Sequence, residues 1–259
     1  GALLVGVSAA KTLAYTLGIP LVGVNHLDGH LHSIFIDGQK NCQNITADQL
    51  PLIACLVSGG HTNLYLVQGL PPNPLRLVKL AETRDDAAGE VFDKSAKLLG
   101  LPYPGGIHLD RLAQSGRRNA IKFPRPLLNQ GLEFSFSGLK TAVATELKAR
   151  GFEPYGVGAA WGQEVANVKT PLGLELADFC ASIQEAIAET LTKKILLAIE
   201  TTGAKGLAVV GGVSANSRLR ELLTEKVRVP VFTPDLSYCT DNGAMIGACG
   251  LFMLQRGEF

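Results

Sequence analysis

Two histidines near the start of the chain have the spacing of a metal-binding pair. His26 and His30 are four residues apart where a helix is predicted to begin. Four residues make about one helical turn, so both imidazoles lie on one face and can bind one ion. We take Asp241 as a third ligand, which would leave coordination positions open as a catalytic site requires. The alternative is that the histidines are solvated or satisfied in the core, and that Asp241 belongs to the first turn of a helix.

A glycine-containing turn connects two predicted strands. The apolar residues 52–57 and the alternating residues 63–67 indicate strands, and Ser58–Thr62 between them predicts a hairpin. Its two glycines permit positive φ and let backbone N–H groups converge on an anion, which is the composition of a phosphate cradle. The alternative is an ordinary Gly-Gly turn without a ligand.

A second glycine pair follows a predicted buried strand at 207–210. Gly211 and Gly212 begin a segment that ends at Asn216, where a helix is predicted to begin. A strand, a glycine pair and a helix start together allow a nucleotide to lie against the backbone. Any tight connection from a strand to a helix would give the same pattern.

Two carboxylates lie on predicted helices between these turns. Asp93 borders the apolar stripe of a helix predicted over 86–100. It either accepts hydroxyl groups of a bound ligand or pairs with Lys97 four residues later. Asp110 lies on a second helix, which is predicted to begin near His108.

The remaining predicted elements position these groups. A helix over 2–17 stops at Gly18, and residues 20–24 are predicted to form a short buried strand with the histidine pair at its carboxyl end. That end of an open α/β sheet is where ligands usually bind. Residues 37–50 indicate an irregular connection and residues 151–170 an inserted loop. The other predicted elements are a long core helix over 172–202, a strand over 229–232 and a final helix over 242–254.

The net charge of the 259-residue chain is +1, so no overall field attracts nucleic acid. Residues 111–150, however, hold eight Lys or Arg against two acids. This segment is predicted either to bind a phosphate backbone, with interleaved phenylalanines as stacking platforms, or to be a solvated basic face over core phenylalanines. The phenylalanines are Phe123, Phe134 and Phe136, and the basic candidates are Arg117, Arg118, Lys122 and Arg125.

The five cysteines are scattered and form no Cys-x-x-Cys pair. This pattern predicts reduced, buried thiols in a reducing compartment rather than a disulfide framework. The sequence shows no signal peptide and no apolar run of membrane-spanning length, so no membrane association is predicted. Because the chain begins at Gly1 within a predicted helix, we expect an N-terminal portion to be missing.

Seven motifs in order give the chain a strong resemblance to one family. They are His26 with His30, Leu56–Thr62, Asp85–Lys94, Pro104–Gly106, Phe134–Thr141, and Gly211–Asn216 followed by Cys239–Ile246. The chain resembles the tRNA N6-adenosine threonylcarbamoyltransferase (TsaD) family over nearly its whole length. The resemblance implies an acyltransferase that moves the threonylcarbamoyl group from threonylcarbamoyl-adenylate to N6 of adenosine 37 in tRNAs reading ANN codons.

The resemblance also implies a fold and a set of site residues. The fold is α/β, of the two-lobed actin-like ATPase type with the ligand in the cleft, and the first lobe is incomplete at its N-terminus. Residues 1–50 and 236–259 would form the first lobe and residues 51–235 the second. His26, His30 and Asp241 would hold a divalent metal, with Fe(II) favoured and Zn(II) as the alternative. The adenylate would contact Leu56, Val57, Ser58, Gly59, Gly60, Asp93, Gly106, Asp110 and Asn216.

The implied partners are tRNA and helper proteins, TsaB-like and TsaE-like in a bacterium, and the implied location is the cytoplasm or an organelle. The family's opening strand and turn are absent here, and residues 151–170 look longer than usual. The sequence leaves three alternative functions. A metalloprotease is disfavoured because Leu27 stands where a zincin helix needs glutamate. The others are an ATP-dependent small-molecule kinase and a non-catalytic, partner-dependent subunit of the same fold.

Overall fold

A computed structural model describes residues 1–36, 45–151 and 176–258. The strands are β1 (Leu52–Val57), β2 (Thr62–Val67), β3 (Leu77–Glu82), β4 (Gly206–Val210) and β5 (Val231–Phe232). The helices are α1 (Ala2–Leu17), α2 (His26–His32), α3 (Ala88–Leu98), α4 (Gly105–Ala113), α5 (Ser137–Ala149), α6 (Leu176–Thr202), α7 (Ser217–Lys226) and α8 (Gly243–Gln255).

The five strands form one mixed sheet in the order β3-β2-β1-β4-β5. Strands β1, β2 and β3 are antiparallel neighbours, whereas β4 pairs with β1 in parallel and β5 pairs with β4 in parallel. The register of β1 with β2 closes at Val57 opposite Thr62, so residues 58–61 form the predicted hairpin turn. The carboxyl ends of the parallel strands β1 and β4 therefore lead to the same edge of the sheet, where both glycine turns begin.

Both faces of the central strands are buried, and alternate residues belong to two hydrophobic clusters. In β1, Ile53, Cys55 and Val57 pack in the larger cluster with residues of α3 to α7. Leu52, Ala54 and Leu56 of the same strand pack on the opposite face, where Leu31 of α2 covers the sheet. This two-sided burial explains why β1 reads as a continuous apolar run rather than an alternating one.

The prediction of a strand over residues 20–24 is wrong. This segment lies outside the five-stranded sheet and is exposed or half-buried. A strand needs a neighbouring strand to satisfy its backbone N–H and C=O groups, and none of the described strands pairs with this segment. The chain instead enters α2 through Asn25, whose side chain accepts a hydrogen bond of 2.9 Å from the Leu27 N–H.

The predicted helix over 2–17 is confirmed as α1, and Gly18 ends it in the left-handed region at φ 62°. No residue of α1 is buried among the described parts of the chain, and Leu3 and Tyr15 are 86% and 91% exposed. None of the helices among the described residues combines the length and the apolar content that a membrane span requires.

Other boundaries differ by a few residues. Helix α3 begins at Ala88 rather than 86, and α4 begins at Gly105 rather than near His108, directly after Pro104. Parts of three predicted elements lie outside the described residues. They are residues 37–44 of the connection predicted over 37–50, which include Cys42, residues 152–170 of the predicted insertion, and residues 172–175 of the long helix. The four described cysteines, Cys55, Cys180, Cys239 and Cys249, are buried free thiols as predicted.

Candidate metal centre and its glycine turns

The predicted metal ligands converge. The Nε2 atoms of His26 and His30 lie 3.5 and 3.1 Å from Oδ1 of Asp241, and the ligand atoms of the three residues all lie within 4.8 Å of one another. Ligand atoms held at about 2.0–2.2 Å around one ion are separated by about 3.0–3.5 Å, so the two measured distances fit a shared cation. The fold thus brings together groups that are about 200 residues apart in the sequence.

Close packing of α2 against α8 produces this convergence. A Cβ at Gly29 would lie 2.7 Å from Cδ1 of Ile246, so the glycine between the two histidines permits the close approach of the two helices. Asn242 caps α8 by accepting a 2.9 Å hydrogen bond from the Met245 N–H. Its Nδ2 also donates to the Thr240 carbonyl at 2.7 Å, which fixes the backbone on both sides of Asp241.

His30 has the environment of a metal ligand. It is fully buried, and neither ring nitrogen forms a hydrogen bond with another described residue, although Nε2 lies 3.1 Å from Oδ1 of Asp241. Burial lowers the pKa of His30, and the charge of His26 lowers that pKa further against the opposing effect of Asp241. A neutral imidazole with a free nitrogen is the form that binds a metal. An orphaned, buried nitrogen facing a second imidazole and a carboxylate therefore fits a cation.

The lowered histidine pKa values predict a pH dependence of folding. Burial also lowers the pKa of His32. In the unfolded chain these imidazoles take up protons near their ordinary value of 6.5, but in the metal-free folded protein they do so only at lower pH. The free energy of unfolding is therefore greatest above that value and falls with acidification.

This dependence can be measured by urea denaturation of the metal-free protein at pH 7.5 and pH 5.5. We expect lower stability at pH 5.5 and a smaller difference between the two pH values in the His30→Gln variant. If the difference in stability between the two pH values is unchanged in His30→Gln, the lowered pKa of His30 is not a cause of the pH dependence.

The first glycine turn, residues 58–61, is held against the start of α3. The Gly89 N–H donates to the Ser58 carbonyl at 3.2 Å, and a Cβ at Gly89 would lie 2.4 Å from that oxygen. Gly59 and Gly60 are exposed at the tip. Leu56 and Val57 are fully buried at the end of β1, so neither residue exposes surface to a ligand at this turn.

The second glycine turn, residues 211–216, packs directly on the end of β1. Gly211 has φ 92°, and a Cβ there would lie 2.4 Å from the Val57 carbonyl oxygen. Gly212 faces the loop that carries Asp241, since a Cβ at Gly212 would lie 3.8 Å from Cγ2 of Thr240. The two glycine turns and the loop that carries Asp241 are therefore neighbours. His61 of the first turn is close enough for its charge to contribute, as the smallest cause, to lowering the pKa of His30.

Asp110 and Asn216 form one polar network at the start of α7. The Asn216 Oδ1 accepts from the Leu219 N–H at 3.0 Å, and its Nδ2 lies 3.4 Å from the Asp110 carboxylate. Asp110 also accepts from the Ser217 hydroxyl at 2.6 Å and from the Gln184 amide. Gln184, on the buried face of α6, was missed from the sequence because nothing distinguishes it from other core-helix positions.

Among the described residues, Asp93 does not pair with Lys97, and its other predicted role, accepting hydroxyl groups of a bound ligand, stays a prediction. Its Oδ1 accepts a 3.1 Å hydrogen bond from the Gly106 N–H, which joins α3 to the start of α4. Lys97, the predicted partner, is exposed. The two residues predicted to contact the adenylate, Asp93 and Gly106, are thus adjacent, and Asp93 orients the backbone of Gly106.

The prediction that phenylalanines of the basic segment are stacking platforms is wrong. Phe123, Phe134 and Phe136 are 4%, 0% and 1% exposed because they fill the core beneath the helices. Several basic side chains of this segment pair with acids. Arg117 pairs with Asp178 at 2.7 Å, Arg118 with Glu221 at 2.9 Å, and Arg125 with Glu189 at 2.8 Å. The second reading, a basic face over core phenylalanines, describes the structure.

Comparison with solved structures supports the fold. HypF from T. kodakarensis aligns with a TM-score of 0.60 at 16% identity, over 95% of this chain and 39% of that one. A full-length HypF solved with phosphate and nucleotide aligns with a TM-score of 0.62 at 12% identity, over 96% of this chain and 38% of that one. The predicted α/β class is confirmed, and the chain shares the fold of the matched part of HypF.

Comparison of sequences identifies the family. The family model for tRNA N6-adenosine threonylcarbamoyltransferase, TsaD, matches residues 1–248. A protein of that name from Geobacter sulfurreducens is 45% identical over all of this chain and 68% of its own length. One from Variovorax paradoxus is 48% identical over 99% of this chain and 66% of its own length. This chain therefore belongs to the tRNA N6-adenosine threonylcarbamoyltransferase family, and its activity is that of a transferase acting on tRNA.

Proposed function

We propose that the protein transfers the threonylcarbamoyl group from threonylcarbamoyl-adenylate to N6 of adenosine 37 in tRNAs that read ANN codons. The observation that carries this proposal is the meeting of His26, His30 and Asp241 beside two glycine turns. A cation site and an anion cradle at one sheet edge suit a substrate that carries both a phosphate and a carbonyl group.

The three converging side chains are the proposed ligands of one divalent ion. Two imidazoles and a carboxylate with open positions are typical of Fe(II), and the same donors also bind Zn(II). When bound, such an ion would polarise the carbonyl of the threonylcarbamoyl group as a Lewis acid. His30 and Asp241 would fix the position of the bound ion, because His30 is buried and the backbone around Asp241 is held by the Asn242 cap of α8.

The transfer itself is a direct acyl substitution. N6 of the adenosine forms a bond to the carbamoyl carbon, the bond from that carbon to the adenylate phosphate oxygen breaks, AMP leaves and N6 loses one proton. We assign binding of the phosphate to the backbone of Gly59 and Gly60, which is exposed, and contact with the nucleoside to the start of α7 at Asn216. Holding donor and acceptor in this geometry is worth up to about 7–11 kcal/mol of barrier.

The proposed partners are tRNA and TsaB-like and TsaE-like helper proteins, and the proposed location is the cytoplasm. An anticodon-loop adenosine can be presented unstacked, which suits reaction at its exocyclic amine. Because three of the four basic candidates pair with acids, Lys122, which is exposed, is the candidate that we retain for the RNA backbone.

Reconstitution tests the proposal. The protein is incubated with tRNA, threonine, bicarbonate, ATP and the helper proteins, and the digested tRNA is analysed by mass spectrometry. We expect threonylcarbamoyladenosine with the unchanged protein and none with Asp241→Ala. Failure to form product, when a control family member succeeds under the same conditions, would refute the proposal. Turnover of ATP with a small acceptor and without tRNA would favour the kinase alternative.

A further inference from the structure

Arg220 lies where the second glycine turn meets the metal-ligand loop, residues 234–241. It is half-buried on α7, one turn after Asn216. Its Nε donates to the Ser214 carbonyl at 2.7 Å, in the glycine turn. Its Nη2 donates to the Pro234 carbonyl at 3.4 Å and lies 3.6 Å from Sγ of Cys239, both in the loop. One guanidinium therefore contacts both segments.

The contacts of Arg220 lie at the start of the loop and close to Asp241. Cys239 is fully buried two residues before the ligand, and its thiol lies 3.5 Å from the Asp235 carbonyl. The Asp235 side chain accepts from the Ser237 N–H at 3.0 Å and begins a short 3-10 turn, Leu236–Tyr238. The loop is thus compact, and a side chain that holds Pro234 and Cys239 also sets the path of the backbone to Asp241.

Asp241 itself depends on this support. Its side chain is 75% exposed, so packing around the carboxylate contributes little to its position. The backbone after it is fixed by the Asn242 cap. The backbone before it is fixed by the segment that Arg220 contacts.

We propose that Arg220 is a positioning residue that sets the place of Asp241 relative to His26 and His30 and ties the metal centre to the second glycine turn. This inference rests on the proposed metal site. A planar guanidinium can donate in two directions to fixed acceptors, which a single ammonium group cannot reproduce. Arginine is therefore required here for geometry and not for charge alone.

The test is the affinity of the protein for Co²⁺. The metal is removed with a chelator, and Co²⁺ is titrated while its visible absorption is followed. Loss of groups that orient a ligand lowers metal affinity by about 10–100-fold. We expect the affinity for Co²⁺ to fall about tenfold with Arg220→Gln and to fall with Arg220→Lys as well. Lysine keeps the positive charge, but it cannot donate hydrogen bonds in the fixed planar geometry of the guanidinium.

Arg218→Gln is the matched control. Arg218 lies on the same helix, and its guanidinium pairs with Glu185 at 2.6 Å and Glu221 at 2.9 Å instead of the loop. We expect this variant to lower the melting temperature without changing the affinity for Co²⁺. If Arg220→Gln does not fold, the affinity of Arg220→Lys for Co²⁺ tests the inference instead.

Three results would overturn the inference. The first is an unchanged affinity in the Arg220 variants, and the second is an equal loss in Arg218→Gln, which would make the effect one of general stability. The third is that the unchanged protein binds no Co²⁺ or that Asp241→Ala binds it equally well. Only this third result also refutes the proposed metal site, so the two failures can be told apart.

Discussion

Replacing Asp241 by alanine is expected to remove metal binding and, with it, the transfer of threonylcarbamoyl to tRNA. The carboxylate is the proposed ligand from the loop before α8, and His26 and His30 alone would hold a divalent ion weakly. Changes to groups that only orient ligands already cost 10–100-fold in affinity, so loss of a ligand should cost at least about a hundredfold. Metal content by elemental analysis and product by nucleoside mass spectrometry measure the two effects.

Asp28→Ala is the matched control for this variant. Asp28 lies on α2 between the two histidines, but its carboxylate is not part of the converging group. Burial raises the pKa of Asp28, so its removal changes a partly buried acid near the site without removing a ligand. We expect metal content close to that of the unchanged protein. Full metal content in Asp241→Ala would exclude Asp241 as a ligand.

Replacing Gly211 by alanine is expected to destabilise the protein and to abolish activity. The new Cβ would lie 2.4 Å from the Val57 carbonyl oxygen, a backbone atom at the end of β1 that cannot move without disturbing the sheet. The residue would also have to remain at φ 92°, which L side chains rarely adopt. Overpacking and the unfavourable φ together should cost about 3 kcal/mol of unfolding free energy. Urea denaturation measures this loss.

Gly247→Ala serves as the control. Gly247 lies on the exposed side of α8, where an added Cβ would meet no atom within 4 Å. Because alanine is the better helix former by about 1 kcal/mol, this variant should be as stable as the unchanged protein or more so. Equal stability of the Gly211 and Gly247 variants would mean that the second glycine turn is not held against β1.

The local elements were largely predictable because each has a strong sequence pattern. The hairpin of β1 and β2 follows from two apolar runs around Ser58–Thr62, and the antiparallel pairing of these strands is confirmed. Asn25, Asn216 and Asn242 each cap the helix that follows, and all three cap positions lie within two residues of a predicted helix start. The strand predicted at 20–24 failed because pairing depends on which neighbours remain available, and this is not a local property.

The sequence by itself determined which residues can bind a metal, since His26 and His30 lie one helical turn apart on one short helix. It also determined where glycine pairs permit backbone conformations that other residues avoid, at Gly59–Gly60 and at Gly211–Gly212. Only the tertiary structure decided that Asp241 reaches the same point, because this depends on how α2 packs on α8. It alone decided that the phenylalanines of the basic segment are core residues and that Arg220 joins the glycine turn to the ligand loop. Contacts between distant segments follow from how whole elements pack, and no local pattern encodes them.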